Sequence, residues 1–167
     1  MKIFLIGFMG SGKTTLGRKL AKRLDYQSID LDKSIEFTQQ MFIPTIFEQF
    51  GEEQFRSWER DELLTIIGNE NVVISTGGGT PCFSDNMNLM NSSGITVYLK
   101  MSPAALKSRL RKAKLPRPLL ENKSSDEVSS IISQLLAERE IFYNQAQISI
   151  DGLNPDLNNL IDILAIE

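Results

Sequence analysis

Gly7-Phe8-Met9-Gly10-Ser11-Gly12-Lys13-Thr14 is the stretch that decides the fold. It fills every position of the pattern G-x-x-x-x-G-K-[ST]. The apolar run Ile3-Phe4-Leu5-Ile6 precedes it, and Leu16, Leu20, Ala21 and Leu24 follow at helical spacing. Strand, glycine turn and helix N-terminus together form an anion cradle. The glycines let backbone N–H groups converge, and the helix dipole adds partial positive charge. Gly10, Ser11, Gly12, Lys13, Thr14 and Thr15 are therefore the candidate contacts for a nucleotide's phosphates. Lys13 would reach the β- and γ-phosphates, and the Thr14 hydroxyl would ligate Mg²⁺. The plainer alternative, an ordinary glycine turn, does not account for the lysine and threonine that complete the pattern.

Outward from this loop, short apolar runs alternate with helical patterns. Strands are expected at Lys2–Ile6, near 27–32, at Val72–Ser75, near 95–99 and at Ile148–Asp151. Helices are expected from the loop to Leu24 and over about 32–39, 52–67, 85–90, 103–111, 126–146 and 155–165. Pro44 is read as an interruption, in a segment rich in phenylalanine (Phe42, Phe47, Phe50), and Gly51 as the end of a short turn. Residues 112–125 are polar, contain prolines and are basic in their first half, so they read as a mobile excursion. Alternating strands and helices imply an α/β chain, with a central five-stranded parallel sheet covered on both faces. Ligands then sit at the carboxyl ends of the strands, at the switch in strand order.

The 167 residues suit one domain. Eighteen basic against 21 acidic residues give a net charge of −3, which argues against nucleic acid as a partner. No apolar run is long enough to span a membrane, and the first strand begins almost at once, so a cytoplasmic protein is expected. The single cysteine, Cys82, fits a reducing compartment. The chain has no histidine, so any catalysis must use carboxylates, Lys, Arg, backbone N–H groups and an oxygen-ligated metal. That set matches phosphoryl transfer, where positioning and charge neutralisation do most of the work.

Four further groups carry chemistry. Asp30 and Asp32 end the second strand, where alternation would put both on one side. One, with Asp30 preferred, would hold a metal-bound water while the other faces a substrate hydroxyl. Alternatively, both merely cap the next helix. Arg56 and Glu59, three apart on a helix, form either a rigid cationic fork for a carboxylate or a solvated surface pair. Gly77-Gly78-Gly79 either bares its N–H groups to a polar ligand or is a flexible turn. Arg117 lies in the polar excursion and Arg139 on the long helix; an arginine on a mobile loop can close over a γ-phosphate.

The set G-F-M-G-S-G-K-T, D-L-D, F-R-S-W-E, S-T-G-G-G, R-P-L-L and R-E-x-x-Y, in this order and over residues 1–154, resembles the shikimate kinase family. The resemblance implies a three-layer α/β/α P-loop kinase fold: one domain over 1–167, a helical substrate-binding segment near 32–62 and a mobile lid near 110–125. It implies phosphorylation of shikimate's 3-hydroxyl by ATP with Mg²⁺, on the route to chorismate and the aromatic amino acids. Thr14 and Asp30 then serve the metal, and Lys13, Asp32 and Arg117 carry catalysis. Asp32, Arg56, Gly77, Gly78, Gly79 and Arg139 bind shikimate, with Phe47 and Phe55 as an apolar wall. Arg109 or Arg111 meets the adenine, beside a loop at Asp151–Pro155. A monomer is expected. The competing expectations are a sister kinase acting on gluconate or a nucleoside monophosphate, and a nucleotide sensor without turnover.

Overall fold

A computed structural model of the chain describes residues 1–112 and 123–164. Five strands are present among these residues: β1 (Lys2–Ile6), β2 (Gln27–Asp30), β3 (Val72–Ser75), β4 (Ile95–Lys100) and β5 (Ile148–Asp151). They form one parallel sheet in the order β2-β3-β1-β4-β5. The helices are α1 (Lys13–Leu24), α2 (Leu31–Gln39), α3 (Ile43–Ile67), α4 (Asn86–Ser93), α5 (Pro103–Lys112), α6 (Ser125–Tyr143) and α7 (Leu157–Leu164).

Alternation along β1 builds both cores. Ile3 and Leu5 face α1 and α7, packing with Leu16, Leu20, Leu160 and Leu164. Phe4 and Ile6 face the opposite layer, where Leu31, Ile46, Leu63, Leu106 and Ile132 close over them. Ile3, Phe4, Leu5 and Ile6 are all fully buried, as a central parallel strand requires.

This strand order places the sequence motifs side by side. β1 has β3 on one side and β4 on the other, so the direction of winding reverses about it. Leu5 pairs with Ser75 in register, and both the N–H and the hydroxyl of Thr76 donate to the Leu5 carbonyl. The loop leaving β3 is thereby tied to the loop leaving β1.

Pro44 does not interrupt a helix as the sequence reading expected; it sits in the first turn of α3, where its missing N–H has no intrahelical partner to lose. The true break is Gly51, with φ 79° and ψ 175°, so residues 43–50 and 52–67 are two helical pieces joined at an angle. A side chain there would be strained, and glycine is not.

Candidate active site

The loop between β1 and α1 has the expected form. Gly10 and Gly12 hold positive φ (79° and 98°), and Gly12 precedes the first residue of α1. Lys13 is buried, and its ammonium donates to the carbonyls of Gly7 and Phe8 at 2.8 and 2.9 Å. Ser11 is buried too, and its hydroxyl has no hydrogen-bond partner among the described residues. Native structures rarely leave such a group orphaned, so an oxygen-rich ligand is the fitting complement. Thr15 is exposed on the first turn of α1.

The Thr14 hydroxyl donates to Asp30 Oδ2 at 2.8 Å. Asp30 also caps α2, its other oxygen accepting from the Lys33 N–H. The two readings of this aspartate are therefore compatible in one side chain. Alternation is not what brings Asp30 and Asp32 together, because β2 ends at Asp30 and Asp32 already lies in the first turn of α2. The cap turns the chain, and the charge of Asp30 is still felt at Asp32. One hydroxyl beside one carboxylate is a small set of hard oxygen donors. It suits Mg²⁺, which keeps several waters and takes its other ligands from phosphate.

Each residue of the triple glycine has a charged side chain where its own would be. A Cβ on Gly77 would lie 2.8 Å from Asp32 Oδ1; one on Gly78, 3.3 Å from Arg139 Nη1; one on Gly79, 2.7 Å from Arg56 Nη2. The Cβ on Gly78 would also lie 3.2 Å from the Met9 N. Phosphate loop and glycine strip thus share a wall.

Burial raises the Asp32 carboxyl to a pKa of about 6, helped by the charges of Asp30 and Glu59 and opposed by Lys13. Arg56 is no solvated surface pair. Its Nη1 donates at 2.7 Å to Glu59, a carboxylate only 1% exposed, and its guanidinium lies over the rings of Phe83 and Phe55. Glu52 holds the other edge of the fork, 3.3 Å from Nε and 3.2 Å from Nη2. Phe47 packs on the buried Phe55 with ring centroids 4.7 Å apart. Of the two candidates for the base, Arg109 is the one beside the loop, donating to the Ser11 and Leu153 carbonyls at 2.8 and 2.9 Å. Arg111 is exposed. Arg117, with the central part of the expected lid, lies outside the described residues.

Sequence reasoning missed the groups that hold this arrangement. Thr80 donates to Glu59, Asn86 donates to the Thr80 carbonyl, and Arg60 donates to Asn86. Thr80 and Asn86 are fully buried. Their only signal was Thr80's place directly after the glycines.

A phosphate loop at the switch point of a five-stranded parallel sheet, with a glycine strip flanked by two arginines beside it, defines a P-loop small-molecule kinase. The shikimate kinase family model matches residues 9–160. The shikimate kinase of Azobacteroides pseudotrichonymphae is 48% identical over 98% of this chain and 96% of its own. The crystal structure of shikimate kinase from Bacteroides thetaiotaomicron superposes with a TM-score of 0.96 at 42% identity, covering 99% of both chains. The enzyme from Acinetobacter baumannii, solved in complex with shikimate, gives a TM-score of 0.83 at 31% identity over 98% of this chain and 90% of that one. The chain belongs to the shikimate kinase family. Among the described residues no helix is long and apolar enough to cross a membrane.

Proposed function

We propose that the chain transfers the γ-phosphoryl group of ATP to the 3-hydroxyl of shikimate, giving shikimate 3-phosphate and ADP on the route to chorismate. The observation that carries this is the shared wall: a Cβ on Gly78 would touch both the phosphate loop and Arg139. A cradle for phosphate and a clamp for a carboxylate are therefore in contact, as transfer to a hydroxylated acid requires. The kinship with shikimate kinases supplies the substrate's identity.

In this reading Gly10, Ser11, Gly12, Lys13, Thr14 and Thr15 hold the triphosphate, and Arg109 borders the nucleotide. Thr14 and Asp30 hold Mg²⁺, which when bound neutralises charge on the β- and γ-phosphates. Arg56 and Arg139 grip the shikimate carboxylate, with N–H groups of Gly77, Gly78 and Gly79 between them. The Phe47–Phe55 pair walls the ring. Asp32 accepts the proton of the reacting hydroxyl. Its raised pKa keeps it a carboxylate above about pH 6 while making it a better base than an ordinary aspartate. Arg117 meets the transferring group and stabilises its charge. Residues 32–62 act as the substrate segment and 110–125 as the lid of a single domain.

The test is shikimate-dependent release of ADP in a coupled assay, with gluconate and AMP as rival acceptors. Turnover with shikimate alone supports the reading. Preference for either rival, or binding of ATP without product, overturns it.

A further inference from the structure

Tyr143 closes the R-E-x-x-Y stretch, and the proposed reaction has not used it. Its side chain is fully buried. Its ring packs against Tyr98 with centroids 5.1 Å apart, and the Tyr98 hydroxyl is held by Glu140. The Tyr143 hydroxyl has two polar neighbours. It donates to the Gly78 carbonyl at 2.5 Å, and the Arg139 charge acts on it from nearby. One turn of α6 separates Arg139 from Tyr143, so both project from one face of the helix.

The Gly78 contact has a consequence for Gly79. Within a trans peptide the C=O and the following N–H point in opposite directions, and the described chain contains no cis bond. Drawing the Gly78 oxygen towards α6 therefore points the Gly79 N–H away from it. Gly79 is the glycine that abuts Arg56. The carbonyls on either side are held by backbone, Gly77 by the Thr80 N–H and Gly79 by the Cys82 N–H. Gly78 depends on a side chain. A single hydroxyl thus fixes one peptide plane of the strip between the two arginines, beside the charge of one of them.

We propose that Tyr143 is a positioning residue for the substrate carboxylate: by holding the Gly78 carbonyl, its hydroxyl sets the direction of the Gly79 N–H, so that this donor meets the acid. The inference rests on the reading of shikimate as substrate. The variant Tyr143→Phe keeps the ring and its packing and removes only the hydroxyl.

The first arm of the test is wild-type turnover of shikimate; its absence overturns the functional reading itself. The second compares Tyr143→Phe with wild type. The KM for shikimate should rise about tenfold, as for a buried carbonyl left without its donor, while the KM for ATP stays within about twofold. With the ring triol that lacks the carboxylate as acceptor, variant and wild type should behave alike. Tyr98→Phe, which removes the neighbouring buried hydroxyl, should leave the shikimate KM within about twofold. A parallel rise in both KM values, an equal loss with the triol, or an unchanged shikimate KM overturns the proposal.

A further measurement needs no variant at position 143. The chain has three tyrosines, so 3-fluorotyrosine labelling gives three ¹⁹F resonances, assigned with Tyr26→Phe and Tyr98→Phe. That of Tyr143 should shift with shikimate and stay in place with the triol. A resonance indifferent to shikimate overturns the proposal.

Discussion

The Thr80 hydroxyl donates to one oxygen of Glu59 at 2.6 Å, and Arg56 holds the other at 2.7 Å. The carboxylate cannot rotate without losing one of them, so a buried threonine governs the aim of an arginine it does not touch. Thr80→Val should leave a buried carboxylate oxygen unpaired, at a cost of about 1–3 kcal/mol. A melting point several degrees lower should accompany weaker shikimate binding, with ATP binding unchanged. Thr80→Ser should restore both. Calorimetry on each ligand decides it, and a Val variant with normal shikimate affinity removes Thr80 from the clamp.

Glu52 occupies the edge of Arg56 that a substrate carboxylate would need. The carboxylate is more than half exposed, and such pairs contribute only about 0–1 kcal/mol. Glu52→Gln should therefore tighten shikimate binding, by up to about fivefold, since it removes a competitor and a repelling charge. Weaker binding in the variant would mean that Glu52 braces the arginine instead.

Asp32 sets the pH dependence. With a folded-state pKa of about 6, kcat/KM for shikimate should fall tenfold per unit below that value and level off above it. The stability effect has the opposite sense. An acid whose pKa is raised by folding favours the folded state when protonated, so its contribution is lost as pH rises from about 4 to 6. Asp32→Asn should therefore melt at a higher temperature than wild type at pH 8, match it near pH 4, and turn over poorly throughout. Equal melting points at pH 8 would mean that the carboxylate is not held at a cost.

A methyl group on Gly79 would lie 2.7 Å from Arg56 Nη2 and 3.1 Å from Nη1. Gly79→Ala should displace that guanidinium and raise the shikimate KM at least tenfold, by analogy with truncating a buried charge contact. Nucleotide binding, read by fluorescence of an ATP analogue, should be preserved. A parallel loss of both ligands would point to collapse of the strip.

Lys13→Ala should lower turnover by about 10²–10³, the usual cost of one donor to developing charge. Circular dichroism should report an intact fold. A folded variant retaining more than about a tenth of wild-type turnover would dismiss the assigned role.

The phosphate loop was legible because its chemistry is local: eight consecutive residues specify turn, charge and helix start. The three central strands were legible because a buried parallel sheet leaves short apolar runs; the edge strands β2 and β5 are half-polar and were legible from their place between helical patterns. Reasoning from spacing failed where two local rules competed. Alternation was applied through Asp30 to Asp32, but a capping aspartate had already ended the strand. Pro44 read as a break, yet a first-turn proline starts a helix; the break lies at Gly51, where the end of a turn was read. Thr80 and Asn86 could not be found in this way. Their partners Glu59 and Arg60 lie more than twenty residues away, and nothing in a single sequence marks such a pair.

The adjacency of β1 and β3 means that the two halves of the site are set apart by strand spacing, about 4.8 Å, a length no side chain determines. In the proposed reaction donor and acceptor would therefore be aligned by the sheet itself. The piece of α3 that carries Phe47 meets the rest of that helix at Gly51 and is tied to α2 by the Ile43 N–H on Glu36. Changes of ring size or substituent in the acceptor could be met by re-angling that piece, with the line of phosphoryl transfer left where the strands put it.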